Sequence, residues 1–226
     1  MKFLAALTVG ATVALAIAVP SSEPAGLERR QGRTTRNDLE NGDAGDCPSV
    51  IMIYARGSTE PGNMGITVGP ALASAMERAF PNDIWIQGVG GPYTAALAPN
   101  ALPKGTNQAS IDEATRLFEL ANSKCPNAAV VTGGYSQGSA VVGNALTEAG
   151  ATIQDQVKGA VLFGYTKNQQ NNGVIINYPP EKTEVFCNRG DAVCTGSLAI
   201  LPAHLQYTGV AGDEAPAFLE QRIAAA

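Results

Sequence analysis

Ala128-Ala129-Val130-Val131-Thr132-Gly133-Gly134-Tyr135-Ser136-Gln137-Gly138 runs from a short strand of small and β-branched residues into a glycine-crowded turn, and a helical run from Ser139 to Leu146 follows it. Inside it stands Gly134-x-Ser136-x-Gly138. Alone, such a pentapeptide says little in a chain with 25 glycines. Between a buried strand and a helix it has the setting of a nucleophile elbow, where a tight turn lifts one serine hydroxyl to the carboxyl edge of a sheet. Side chains at Gly134 and Gly138 would collide with neighbouring backbone in so tight a turn. The helix that follows presents N–H groups and a partial positive charge to a developing oxyanion. The competing reading is a glycine-rich β–α turn with an idle serine.

Outward from that stretch, strands and helices alternate. Val50-Ile51-Met52-Ile53-Tyr54-Ala55 is a continuous apolar run, as expected of a strand buried on both faces. Val68 to Phe80 reads as a helix with Leu72, Ala75, Met76 and Ala79 inward, stopped by Pro81. Ile84 to Val89 is the second strand, and Gly90 to Gly105 is loop. Ser110 with Glu113 three residues on predicts a capping box opening a helix that Pro126 ends, its inward face Ile111, Ala114, Leu117, Phe118 and Ala121. Ala128 to Thr132 is the third strand, Gly159 to Phe163 the fourth and Thr183 to Phe186 the fifth, and a last helix covers Ala215 to Ala224. The pattern predicts an α/β protein: a three-layer α/β/α sandwich on a parallel sheet, with no repeat and no segment long enough for a separate cap.

A serine hydroxyl needs a base within hydrogen-bond reach. His204 is the single histidine, and it follows Ser136, as the order Ser…Asp/Glu…His requires. The acid should lie between them. Asp155, Asp191, Glu148, Glu181 and Glu184 qualify by position. Asp155 falls in a polar, helical stretch that solvent should reach. Asp191 follows the fifth strand between Cys187 and Cys194, where a small disulfide ring would hold a carboxylate still enough to orient an imidazole. Asp191 is the choice. For the oxyanion, one donor should be the N–H of Gln137. The other should come from Arg56-Gly57-Ser58-Thr59-Glu60 after the first strand, where Ser58 has an N–H and a hydroxyl to offer; an ordinary polar turn fits that stretch equally well.

The N-terminus sets the compartment. A lysine, an apolar run from Phe3 to Val19 and the small-x-small triplet Ala16-Ile17-Ala18 predict a signal peptide over residues 1–18, too short for a comfortable membrane span. Residues 19–30 end in the dibasic Arg29-Arg30 and read as a pro-segment, leaving one domain over residues 31–226. Removing Lys2, Arg29, Arg30, Glu23 and Glu28 takes the formal net charge from −5 to −6. That acidity argues against nucleic acid as a partner. Four cysteines in an exported chain point to two disulfides, of three possible pairings. Cys187 and Cys194 lie close in sequence, and pairing them leaves Cys47 to Cys125. No C-x-x-C and a single histidine speak against zinc, and no N-x-S/T sequon occurs. Neither a metal nor a cofactor is expected, nor stable membrane insertion; a monomer is.

Four segments together resemble the fungal cutinases: Arg33-Thr34-Thr35-Arg36-Asn37-Asp38-Leu39, Tyr54 to Glu60, Gly133 to Gly138 and Gly190-Asp191-Ala192-Val193-Cys194. The resemblance spans nearly all of the mature chain, and the combination is far more specific than any piece. It implies a small α/β-hydrolase fold with a five-stranded parallel sheet and no lid. It also implies a triad of Ser136, Asp191 and His204, an oxyanion hole of Ser58 and Gln137, and Asn100 holding Ser58 in place. Disulfides Cys47–Cys125 and Cys187–Cys194 are implied as well. Cleft rims would carry Leu97 and Ala98 on one side, with Leu198, Ile200 and Leu205 on the other. Two departures stand out: the order Pro202-Ala203-His204, where family members usually place proline directly before the histidine, and Ala98, where a small residue, often glycine, is usual.

The expected activity is hydrolysis of cutin and other hydrophobic esters or polyesters outside the cell, through an acyl-enzyme on Ser136. Other readings are an acetylxylan or lipase-like esterase of the same superfamily, or a secreted elicitor or adhesin without catalysis.

Overall fold

The computed structural model describes residues 34–225; the expected signal peptide and pro-segment lie outside them. Five strands, β1 (Val50–Ala55), β2 (Ile84–Gly88), β3 (Ala129–Tyr135), β4 (Val157–Phe163) and β5 (Thr183–Phe186), form one parallel sheet in the order β2-β1-β3-β4-β5. The serine follows β3, the middle strand. All six residues of β1 are buried, and they divide by parity, as the two-residue period of a strand requires.

Ile51, Ile53 and Ala55 join Val130, Ala160 and Leu162 beneath the helices α1 (Asp38–Asn41), α3 (Gln108–Lys124), α4 (Gln137–Glu148) and α5 (Ala151–Gln156). Val50, Met52 and Tyr54 join Val131, Val161 and Phe163 on the other face, under α2 (Val68–Ala79), α6 (Thr208–Gly212) and α7 (Glu214–Ala224). The result is the three-layer sandwich expected. Each fully buried aliphatic side chain in these two cores is worth about 1.5–3 kcal/mol. No helix of the described residues is long and apolar enough to cross a membrane.

Several boundaries differ from the sequence reading, and three of them are instructive. β3 runs on to Tyr135 instead of stopping at Thr132, with Gly133 and Gly134 paired to Tyr54 and Ala55. These glycines mark close approach, not a turn: a Cβ on Gly133 would meet Leu72 and Val161 at 3.0–3.2 Å. β4 begins at Val157, two residues early. The helix expected from Ser110 begins at Gln108, capped by Asn107, whose Oδ1 accepts from Ser110 N–H and Oγ–H at 2.9 and 2.8 Å. Glu113 pairs with Arg116 instead of closing a capping box.

Both disulfides join the expected cysteines. Cys47–Cys125 ties the segment before β1 to the end of α3 across 78 residues, and Cys187–Cys194 spans 7. On chain-entropy grounds the first is worth about 4.5 kcal/mol and the second about 2.4 kcal/mol.

Candidate active site

β3 delivers the chain into the elbow with Ser136 at φ 53° and ψ −119°, a conformation that L residues avoid. The strain is held by packing that glycine alone permits. A Cβ on Gly134 would lie 2.5 Å from the backbone of Gly138, and one on Gly138 would lie 2.0 Å from Ala55 O. Ser136 N–H donates to Phe163 O at 2.8 Å, and Ser139 Oγ–H donates to Gly134 O at 2.6 Å, so the turn is locked from β4 and from α4. α4 starts at Gln137. Its first N–H groups, that of Gln137 directly after the serine among them, have no partner inside the helix.

Sixty-eight residues on, a 3₁₀ turn over Pro202–Leu205 sets His204 against this elbow. His204 Nε2 lies 3.0 Å from Ser136 Oγ, and Nδ1 lies 2.8 Å from Asp191 Oδ2. Both His204 and Asp191 are buried, and Ser136 is 8 % exposed, enough to reach the cleft. Asp191 sits inside the Cys187–Cys194 ring, with its N–H on Asn188 O and its Oδ1 accepting Val193 N–H at 2.9 Å. The structure therefore brings the three predicted side chains into one hydrogen-bonded file. Such a file can draw the serine proton onto imidazole while the carboxylate holds the ring in the needed tautomer.

Across the cleft, Asn100 Nδ2 donates to Ser58 Oγ at 2.9 Å and to Leu97 O at 2.9 Å. With its oxygen receiving that bond, the Ser58 hydroxyl can turn its own proton toward the cleft. The loop carrying Ser58 is braced by Glu60, whose Oε2 accepts Gly57 N–H and whose Oε1 accepts the N–H and hydroxyl of Thr67. Arg56, buried against the Tyr93 ring, adds a bond to Glu60 O at 2.8 Å; burial lowers its pKa. The Gln137 side chain leaves the reacting end entirely and donates to Ala96 O at 2.8 Å.

The cleft encloses about 360 Å³ and is lined by Ser58, Asn100, Ser136 and His204, with Leu97, Leu198, Ile200 and Leu205 at its rims. Those four aliphatic side chains are 52–65 % exposed. Ala98 is exposed but does not line it. A larger groove of about 470 Å³ lies at Ser49, Ala129 and Lys158, the opposite end of the strands, and has a mixed polar and apolar lining.

Several site residues escaped the sequence reading. Gly164, directly after β4, has φ +55°, and a Cβ there would lie 2.6 Å from His204 Cε1 and 3.1 Å from Asp191 Oδ2. A glycine at the carboxyl end of an apolar strand was the available signal. Tyr135 stacks on the His204 ring at 5.2 Å and donates from its hydroxyl to His204 O. Tyr207 donates to Asp191 Oδ2 at 2.5 Å. Burial first, and then the Asp191 carboxylate, push the Tyr207 hydroxyl far above its ordinary pKa, so it remains a donor. Asn188 braces the histidine turn through Ala203 O and Gln206 O at 3.0 Å each.

This geometry can be set beside known proteins. The sequence model of the family described as Cutinase matches residues 46–223. The chain is 59% identical to Cutinase CUT1 of Pyricularia oryzae, over 97% of this chain and 99% of that protein. It is 54% identical to Cutinase 1 of Fusarium vanettenii, over 100% and 98%. Among solved structures, Trichoderma reesei cutinase in complex with a phosphonate inhibitor superimposes with a TM-score of 0.72 at 31% identity, covering 88% of this chain and 83% of that one. An acetylxylan esterase reaches 0.65 at 18% identity, over 78% and 99%, a likeness of fold alone.

Proposed function

The chain belongs to the cutinase family and is a carboxylic ester hydrolase, and from that premise we propose that it is a secreted serine esterase opening cutin-like polyesters and other hydrophobic esters through an acyl-enzyme on Ser136. The single observation that carries the assignment of roles is the continuous file Ser136 Oγ, His204 Nε2, His204 Nδ1, Asp191 Oδ2, at 3.0 and 2.8 Å.

His204 takes the Ser136 proton as the oxygen attacks the ester carbonyl. The tetrahedral oxyanion is held by the Gln137 N–H and by Ser58, whose hydroxyl Asn100 orients. His204 then passes its proton to the departing alcohol as the carbon–oxygen bond breaks. Water, deprotonated by the same ring, attacks the acyl-enzyme and releases the acid, and the proton returns to Ser136. All these groups come from one chain, so a monomer suffices.

The exposed Leu97, Leu198, Ile200 and Leu205 favour a long acyl chain or a polymer surface over an acetylated sugar, because such a surface can cover them. Export is supported by the signal-like residues 1–18, the dibasic end of residues 19–30 and the two disulfides of the remaining domain.

Ser136→Ala is expected to lower ester turnover by about 10³- to 10⁶-fold, since the covalent step disappears; near-normal turnover in that variant would sink the assignment. Release from an aliphatic polyester film, compared with release from acetylated xylan, tests the substrate: film should be preferred, and preference for the xylan would replace the polymer reading with a carbohydrate esterase.

A further inference from the structure

The hydroxyl of Tyr207 completes the coordination of the Asp191 carboxylate, and we infer that Tyr207 is a positioning residue that tunes the proton affinity of His204 through that carboxylate. The inference rests on the esterase reading of Ser136, His204 and Asp191.

Asp191 Oδ2 accepts two bonds, from His204 Nδ1 at 2.8 Å and from the Tyr207 hydroxyl at 2.5 Å. The direction of the second is fixed from behind. Asn188 N–H donates to the Tyr207 oxygen at 3.0 Å, so the phenol's own proton goes to the carboxylate. Tyr207 is fully buried, and its ring stands edge-on to His204 at 6.2 Å and to Phe163 at 6.1 Å. The ring is thus seated by packing, and the hydroxyl can be removed without unseating it.

Two consequences follow. A carboxylate oxygen pinned by a second donor cannot swing away from the imidazole, which keeps Nε2 within reach of Ser136 Oγ. That second donor also draws negative charge from Oδ2, so Asp191 stabilises the imidazolium less than a carboxylate bonded to histidine alone would. Few other groups compete. Asp191 pairs with no cation other than His204 among the described residues. Tyr135, from the end of β3, stacks on the histidine and donates to its backbone, not to the carboxylate. Burial first, then Glu60 from the loop after β1 and Asp191, raise the pKa of the Tyr135 hydroxyl, so it stays a neutral donor.

The test is the pH profile of kcat/KM on a soluble ester, measured for the wild type, Tyr207→Phe and Asn188→Ala. Tyr207→Phe concentrates charge on Asp191, so its acid limb should move to higher pH by about one unit, with a several-fold lower plateau. Asn188→Ala cuts the side-chain braces but keeps the N–H on Tyr207, so its plateau should fall with the limb in place. Should Tyr207→Phe fail to fold, 3-fluorotyrosine at position 207 strengthens the donor and should move the limb to lower pH. A folded Tyr207→Phe whose limb coincides with the wild type overturns the inference, as does a limb shift of equal size in Asn188→Ala or an unmoved limb with the fluorinated residue. Ser136→Ala, assayed alongside, separates the two levels. An active wild type that loses turnover there keeps the esterase reading whatever Tyr207 does.

Discussion

The two walls of the cleft present similar aliphatic tips on very different supports. The wall bearing Leu97 is tied to the catalytic floor and the Ser58 loop: Thr59 N–H on Ala95 O at 2.8 Å, Gln137 Nε2 on Ala96 O at 2.8 Å and Asn100 Nδ2 on Ser58 Oγ at 2.9 Å. The wall bearing Leu198 and Ile200 has no such ties. Among the described residues, the hydrogen bonds between 198 and 202 close locally, Ala199 N–H on Ser197 Oγ and His204 N–H on Leu201 O. Its ends alone are anchored, by the Cys187–Cys194 ring on one side and the His204 turn on the other. On the proposed mechanism the first wall holds Ser58 through Asn100 and must not move, because electrostatic stabilisation depends on preset geometry. The other wall is left free to conform to an irregular substrate surface.

The largest effect that would sharpen this contrast is expected from Asn100→Ala. It frees Ser58 from the first wall, and kcat should fall by about 100-fold with a much smaller change in KM. A change confined to KM would show the wall to be a binding surface only. Opening the ring on the other side, with Cys187→Ser and Cys194→Ser combined, should cost about tenfold in kcat/KM, because Asp191 loses its frame, and should lower stability as chain entropy returns to the unfolded state. Kinetics equal to the wild type would show that hydrogen bonds to Asp191 hold it without the ring. The smallest effect belongs to the free wall. Leu198→Ser with Ile200→Ser should reduce release from a polyester film about fivefold, from lost apolar contact, while a short soluble ester is turned over as before. An equal loss on both substrates would place these side chains in the chemistry and break the comparison.

Much of this was legible in the chain. The apolar run of β1 reads directly as a strand buried on both faces, and the Gly134-Tyr135-Ser136-Gln137-Gly138 turn has no room for a side chain at either glycine. His204, being the sole histidine, left no choice of base. The cap at Asn107 was hidden because Ser110 and Glu113 have capping-box spacing while an asparagine side chain reaches the same N–H. Tyr207 gave no signal at all. Its bond to Asp191 depends on the ring packing against Phe163 at the end of β4, a tertiary fact that local pattern does not encode. Gly164 reads as ordinary punctuation until His204 is seen against it.

The most direct test of the central claim, that one file of side chains makes Ser136 the reactive oxygen, is covalent labelling with a long-chain organophosphonate followed by mapping of the modified residue. One phosphonyl group per chain on Ser136, with labelling at least about 100-fold slower in His204→Ala, is the expected result. Labelling at another residue, or at the wild-type rate without His204, would contradict it.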